Sequence, residues 1–191
     1  MLRAITAFLF RCSGWKIIGN TPKHIHKAVW VGAPHTTNWD FFVCLGGRAE
    51  LNIDIGFLAK SQLFKWYSGW LFRALGCYPV HRHKSLNLVD SVAAMYNQRE
   101  SLHIAITPEG TRKDVDKIKT GFYHIALKAN VPVILIGFDY PGKAIVVSGP
   151  IYLQNDFQKD MKVIYDFYLT IPGKRKSWIK NYEMTGIIEM V

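Results

Sequence analysis

An α/β domain with a mostly parallel central sheet flanked by helices is what this sequence predicts, and three observations predict it. Short apolar runs alternate with stretches whose apolar residues recur at helical spacing. The chain has 191 residues, enough for one domain with a core of its own. Its composition, 49% hydrophobic and only 20% charged, excludes a disordered chain, because so much apolar material must be buried. No uncharged apolar run approaches the ~18–20 residues needed to cross hydrocarbon.

Taken in order, residues 2–13 read as a retained helix. Arg11 interrupts the apolar stretch, and no small-residue cleavage site follows it. Gly19 to Pro22 is a turn. Residues 28–33 form a buried strand, followed by a helix from Trp39 to Ala49 that Thr37 or Asn38 would cap, with Asp40 in its first turn. Residues 54–59 suggest a strand, 62–75 an aromatic helix ended by Gly76, and 86–100 a helix behind Ser85. A strand over 102–106 leads through a polar loop to a helix at about 119–129. Val131 to Phe138 and Ala144 to Ser148 read as strands joined antiparallel through the Pro141-Gly142 turn, and a last helix lies near 156–170.

In such sheets the chemistry sits on loops leaving the carboxyl ends of strands, which singles out residues 34–40 and 107–113. In the first, His35 and Asp40 can be brought side by side. The carboxylate would accept one ring N–H, fix the tautomer and leave the other nitrogen as a base. The same spacing is also met by a histidine that merely caps the helix start. In the second, Gly110 permits a tight turn with close ligand approach, and Arg112 offers a planar fork for phosphate beside the Thr111 hydroxyl. Glu109 could pair with an arginine or bind an acceptor hydroxyl. Alone, this loop also reads as an exposed polar turn.

Together the two loops resemble the glycerolipid acyltransferase family, the lysophosphatidate acyltransferases and their relatives. That family joins an HxxxxD block to a later PEGT/EGTR block, here His35 to Asp40 and Pro108 to Arg112. Lys60-Ser-Gln-Leu-Phe64, Tyr78-Pro-Val-His-Arg82 and Val131-Pro-Val-Ile-Leu135 match further family segments in order. The resemblance implies that His35 is the general base and Asp40 orients it. It also implies that Lys60, Arg82, Glu109, Gly110, Thr111 and Arg112 bind the phosphate side of a lysophospholipid acceptor. The implied donor is acyl-CoA or acyl carrier protein, with no cofactor and no metal. Backbone N–H groups at the helix start would stabilise the oxyanion. Residues 1–20 would then be a membrane-associating segment and 21–191 the acyltransferase domain.

The formal net charge of +10 and 14% aromatic residues suit an anionic partner. The expected one is a membrane surface, on the cytoplasmic side, since three scattered cysteines fit a reducing compartment. Arg3 and Arg11 would meet the bilayer, although the helix that carries them could instead pack on the domain. The aromatic segment Leu63 to Phe72 could serve as core, as a membrane face, or as both. Lys174 to Lys176 could add to the basic surface or form a solvated tail. Two His-x-His pairs, His24/His26 and His81/His83, have no obvious third metal ligand nearby. A nucleic-acid-binding module remains the rival class on charge, but no RRM, KH, zinc-finger or helix-turn-helix pattern is present, so the expectation is no nucleic acid.

Overall fold

The computed structural model describes residues 2–21, 24–80, 85–173 and 175–188. Its elements are α1 (Leu2–Cys12), β1 (Lys16–Gly19), β2 (Lys27–Ala33), α2 (Trp39–Leu51), β3 (Ile55–Lys60), α3 (Gly69–Ala74), β4 (Cys77–Val80) and α4 (Ser85–Asn97), then β5 (Leu102–Ile106), α5 (Gly121–Ala129), β6 (Val133–Asp139), β7 (Ala144–Val147), α6 (Phe157–Leu169) and α7 (Ser177–Thr185). The seven strands form one sheet in the order β1-β7-β6-β2-β5-β3-β4. Neighbours are parallel except β6 and β7, which the Pro141-Gly142 turn folds antiparallel as the sequence predicts.

The long apolar runs have their explanation in burial on both faces. Along β2, Ala28 and Trp30 enter the layer beneath α1 and α2, while Val29, Val31 and Ala33 enter the opposite layer beneath α4, α5, α6 and α7. Ile134, Ile136 and Phe138 of β6 alternate with Val133 and Leu135 in the same way. These two central strands place the ends of β2 and β5 side by side at one edge, since β2 lies between β6 and β5.

Some of the expected elements change. The helix expected over 62–75 is broken into a 3₁₀ turn at Ser61–Leu63 and the short α3. The Ser68 hydroxyl donates to the Leu63 carbonyl at 2.8 Å, and Gly69 sits where a Cβ would lie 3.3 Å from the Phe64 backbone. β1, β4 and α7 were not expected at all. β1, which lies within residues 1–20, pairs with β7 and extends the domain's own sheet.

α1 both packs and faces outward. Phe10 is buried against α2, where a Cβ on Gly46 would lie 2.7 Å from the Phe10 Cβ and one on Gly47 2.3 Å from Ile145 Cδ1. Arg11 donates to Glu50 at 2.7 Å, and Arg3 lies 3.9 Å from Asp54, so both arginines expected at a bilayer have acidic neighbours within the chain. Ile5, Phe8 and Leu9 remain exposed on the other side. Among the described residues no helix is long and apolar enough to cross a membrane.

Candidate functional site

Asp40 is the hub of the first loop. Its Oδ2 accepts from His35 Nδ1 at 2.7 Å, from the Thr36 amide at 2.8 Å and from the Thr37 amide at 3.1 Å. Its Oδ1 accepts from the Tyr140 hydroxyl. The helix starts this way because Asp40, in its first turn, folds back onto the loop amides, while Thr37 Oγ1 accepts from the Trp39 amide at 3.2 Å. Asn38 occupies the cap position but makes no side-chain cap bond; its Oδ1 accepts from Arg112 instead.

The carboxyl of Asp40 is 2% exposed, and burial alone would disfavour its charge. The hydrogen bonds from His35, Tyr140 and the two amides outweigh that burial and hold it below the ordinary carboxylate value. An ionised Asp40 can only accept, so His35 Nδ1 carries a proton, and in the neutral ring Nε2 is the nitrogen able to take one. The histidine is therefore more than a helix cap.

The second loop is held from beneath. Glu109 is buried, with its Oε2 accepting from the His35 amide at 2.8 Å and from Lys176 Nζ at 2.5 Å, and its Oε1 from Trp178 Nε1 at 3.0 Å. Burial pushes its carboxyl upward, against the pull of the Lys176 ammonium, the His35 amide and the Trp178 indole. Among the described residues the donors to Glu109 are all internal, so it joins the two loops from beneath. The loop amides are also committed. Those of Thr36 and Thr37 go to Asp40, so the helix start does not offer them to an oxyanion.

Over this base lies a cleft of about 340 Å³ lined by His35, Thr107, Gly110, Thr111, Arg112 and Lys113. The lining contains two formal cations and no carboxylate, so it favours an anion. Gly110 has φ +65, a backbone state that glycine adopts without strain, and it brings the loop backbone to the cleft. Arg112 is exposed and joins this loop to α2 through Asn38. Lys60 ends β3 at the same edge of the sheet, but β5 stands between β3 and β2, so it is not brought into contact with His35. Arg82 lies outside the described residues, as do His81 and His83. Among the described residues no group of three or more His, Cys, Asp or Glu is arranged to hold a metal ion.

Sequence reasoning missed three residues. Tyr140 directly follows β6 and so stands at the carboxyl end of a third strand, the same rule that singles out the other two loops, but the sequence reading there names only the Pro141-Gly142 turn. Lys176 is 3% exposed, contrary to a solvated tail or a membrane-facing charge, and Trp178 is 2% exposed. Nothing in a short basic run announces a buried lysine. Arg175 beside it pairs with Glu183 at 2.5 Å.

Residues 17–139 match the model of the Acyltransferase family. The chain is similar to a 1-acyl-sn-glycerol-3-phosphate acyltransferase of Haemophilus influenzae, 28% identical over 135 residues that make up 66% of this chain and 55% of that protein. The chain thus spans about half the length of this curated relative. Its fold is similar to the crystal structure of the 1-acyl-sn-glycerophosphate (LPA) acyltransferase PlsC from Thermotoga maritima. The TM-score is 0.58 and the identity 16%, with 91% of this chain and 80% of that chain covered.

Proposed function

Because this chain belongs to the Acyltransferase family, we propose that it moves a fatty acyl group from an acyl thioester to the hydroxyl of a lysophospholipid such as 1-acylglycerol-3-phosphate. The donor is acyl-CoA or acyl carrier protein. The observation that carries this reading is the pairing of His35 with the buried Asp40 at 2.7 Å on the wall of a cationic cleft.

The chemistry follows from that pairing. His35 Nε2 takes the acceptor's hydroxyl proton as the oxygen attacks the thioester carbonyl. Asp40, already ionised, stabilises the imidazolium that forms. The tetrahedral centre collapses, the C–S bond breaks, and the departing thiolate takes the proton back from His35. Atoms and charges balance without a cofactor. Arg112 and Lys113 suit the acceptor's phosphate, with Thr111 and the Gly110 backbone beside them. Lys60 and Arg82 are assigned to the same headgroup. Trp39, Phe42, Phe41 and Phe57 touch in succession, tilted or edge-on with ring centroids 5.5–5.8 Å apart, an apolar wall suited to an acyl chain.

The proposed setting is peripheral, on the cytoplasmic face of an anionic membrane. Its support is the exposed Phe8 and Leu9 of α1, the exposed Trp39 and Phe42 that open α2 next to His35, and Trp66 and Trp70, of which Trp66 is 94% exposed. Rings with a polar edge suit headgroup depth.

The deciding measurement is a mass-spectrometric transfer assay. It offers both donors to lysophosphatidate, glycerol 3-phosphate and phosphate-free lysolipids. Transfer to lysophosphatidate is expected, with His35→Ala lowering kcat by about 10²–10⁴-fold while the protein stays folded. Arg112→Ala should raise KM for phosphate-bearing acceptors only. Wild-type turnover in folded His35→Ala would overturn the base assignment. Activity confined to phosphate-free acceptors would overturn the phosphate roles.

A further inference from the structure

Lys176 lies well past residue 139, where the family match ends. It is 3% exposed, and its Nζ meets three acceptors: Glu109 Oε2 at 2.5 Å, the Thr111 carbonyl at 3.0 Å and the Lys113 carbonyl at 3.0 Å. An ammonium has three hydrogens, and all three go into the loop over residues 109–113. The adjoining residues attach to the end of that loop as well. Ser177 donates its amide and hydroxyl to Asp114 at 2.8 and 2.6 Å, and the Trp178 amide donates to the Val115 carbonyl at 2.9 Å.

A buried ion pair is a poor device for stability alone, since taking both charges out of water costs about what their attraction returns. This one has a direction. Glu109 Oε2, the oxygen that Lys176 holds, is also the oxygen that accepts the His35 amide at 2.8 Å. We propose that Lys176 is a positioning residue for the His35 base, fixing the loop that carries it through Glu109. The proposal rests on the acyl-transfer reading only for the reaction that this base serves.

His35 faces Asp40 on α2, which also accepts from Tyr140 after β6, and Arg112 and Lys113 share its cleft. Lys119 lies behind Gly110. None of these changes in the variants below, so any change in the His35 titration reports the Glu109–Lys176 pair.

The test follows the ring of His35 by NMR of the full chain carrying ¹³C-labelled histidine, without substrate, its signal assigned by its loss in His35→Ala. Glu109→Gln leaves the ammonium on its two carbonyl acceptors without a counter-charge. The pH midpoint of the ring should fall by about half a unit or more, because a nearby like charge disfavours the imidazolium. Glu109→Gln/Lys176→Met removes both charges and should restore the wild-type midpoint, which mere loosening of the loop would not do. In Lys176→Met, kcat for acyl transfer should fall about tenfold or more, as displacement of a reacting group predicts. A Glu109→Gln midpoint equal to wild type, or an unchanged kcat in folded Lys176→Met, overturns the proposal. Absence of transfer by the wild-type protein would instead overturn the acyltransferase reading and leave the titration result intact.

Discussion

Of the four hydrogen bonds that converge on Asp40, the one from Tyr140 is the one that can be deleted without touching the His35 loop. Tyr140→Phe keeps the ring against Trp15, whose centroid is 5.3 Å away, and removes only the donor. A bond to a buried carboxylate contributes about 1.5–3 kcal/mol. Urea unfolding should show a loss of that size, and kcat should fall about tenfold with the acceptor KM little changed. Wild-type stability in the variant would mean that the hydroxyl does not support Asp40. The same residues mark the limits of reading a site from sequence. His35 and Asp40 were legible because they lie on one turn of chain, where spacing translates directly into proximity. Glu109 was recognised, but its orientation was not. Whether a loop carboxylate faces water or core depends on Lys176 and Trp178, which come 67 and 69 residues later.

Among the elements, the long strands and helices were visible because each buries a regular stripe of side chains. β1 and β4 were not, since each has four residues and closes one end of the sheet. Register against a neighbour, and not internal pattern, makes them strands. α1 shows the same dependence on context, for its apolar residues divide between two environments. Gly46→Val should loosen its packing by pushing a branched side chain into Phe10, at a cost of about 1–3 kcal/mol in thermal or urea unfolding. Phe8→Ser/Leu9→Ser alters only the exposed side and should leave stability within about 0.5 kcal/mol of wild type. Its sedimentation with phosphatidylglycerol vesicles should nonetheless drop severalfold. Equal sedimentation of variant and parent would remove α1 from the proposed membrane face.

For the molecule as a whole, the acid side of its stability curve has a definite sign. Asp40 is held low by hydrogen bonds that outweigh its burial, Asp114 by Ser177, and Asp166 by Lys162. Each contributes stability that is complete above the ordinary carboxylate value and lost as the pH falls through the lower folded one. Glu109 acts in the opposite sense. Burial raises its carboxyl, so the folded protein binds that proton first and gains stability as the pH falls through the interval between the unfolded and folded values. Burial holds the His103 imidazole below its ordinary value, so the unfolded chain binds that proton first and stability is lost as the pH falls from the ordinary histidine value to the lower folded one. Melting temperatures should therefore begin to fall on acidification below about pH 6.5 and drop further below about pH 4. A melting temperature that rises between pH 7 and 5 would contradict this balance. The ion pair that couples Glu109 to the last helix also orders the protein's biogenesis. A nascent chain that has emerged only through α6 already possesses His35, Asp40, Tyr140 and the cleft loop, but no cation for Glu109. Residue 176 must leave the ribosome before the two loops of the proposed site can lock, which is after the sheet is complete.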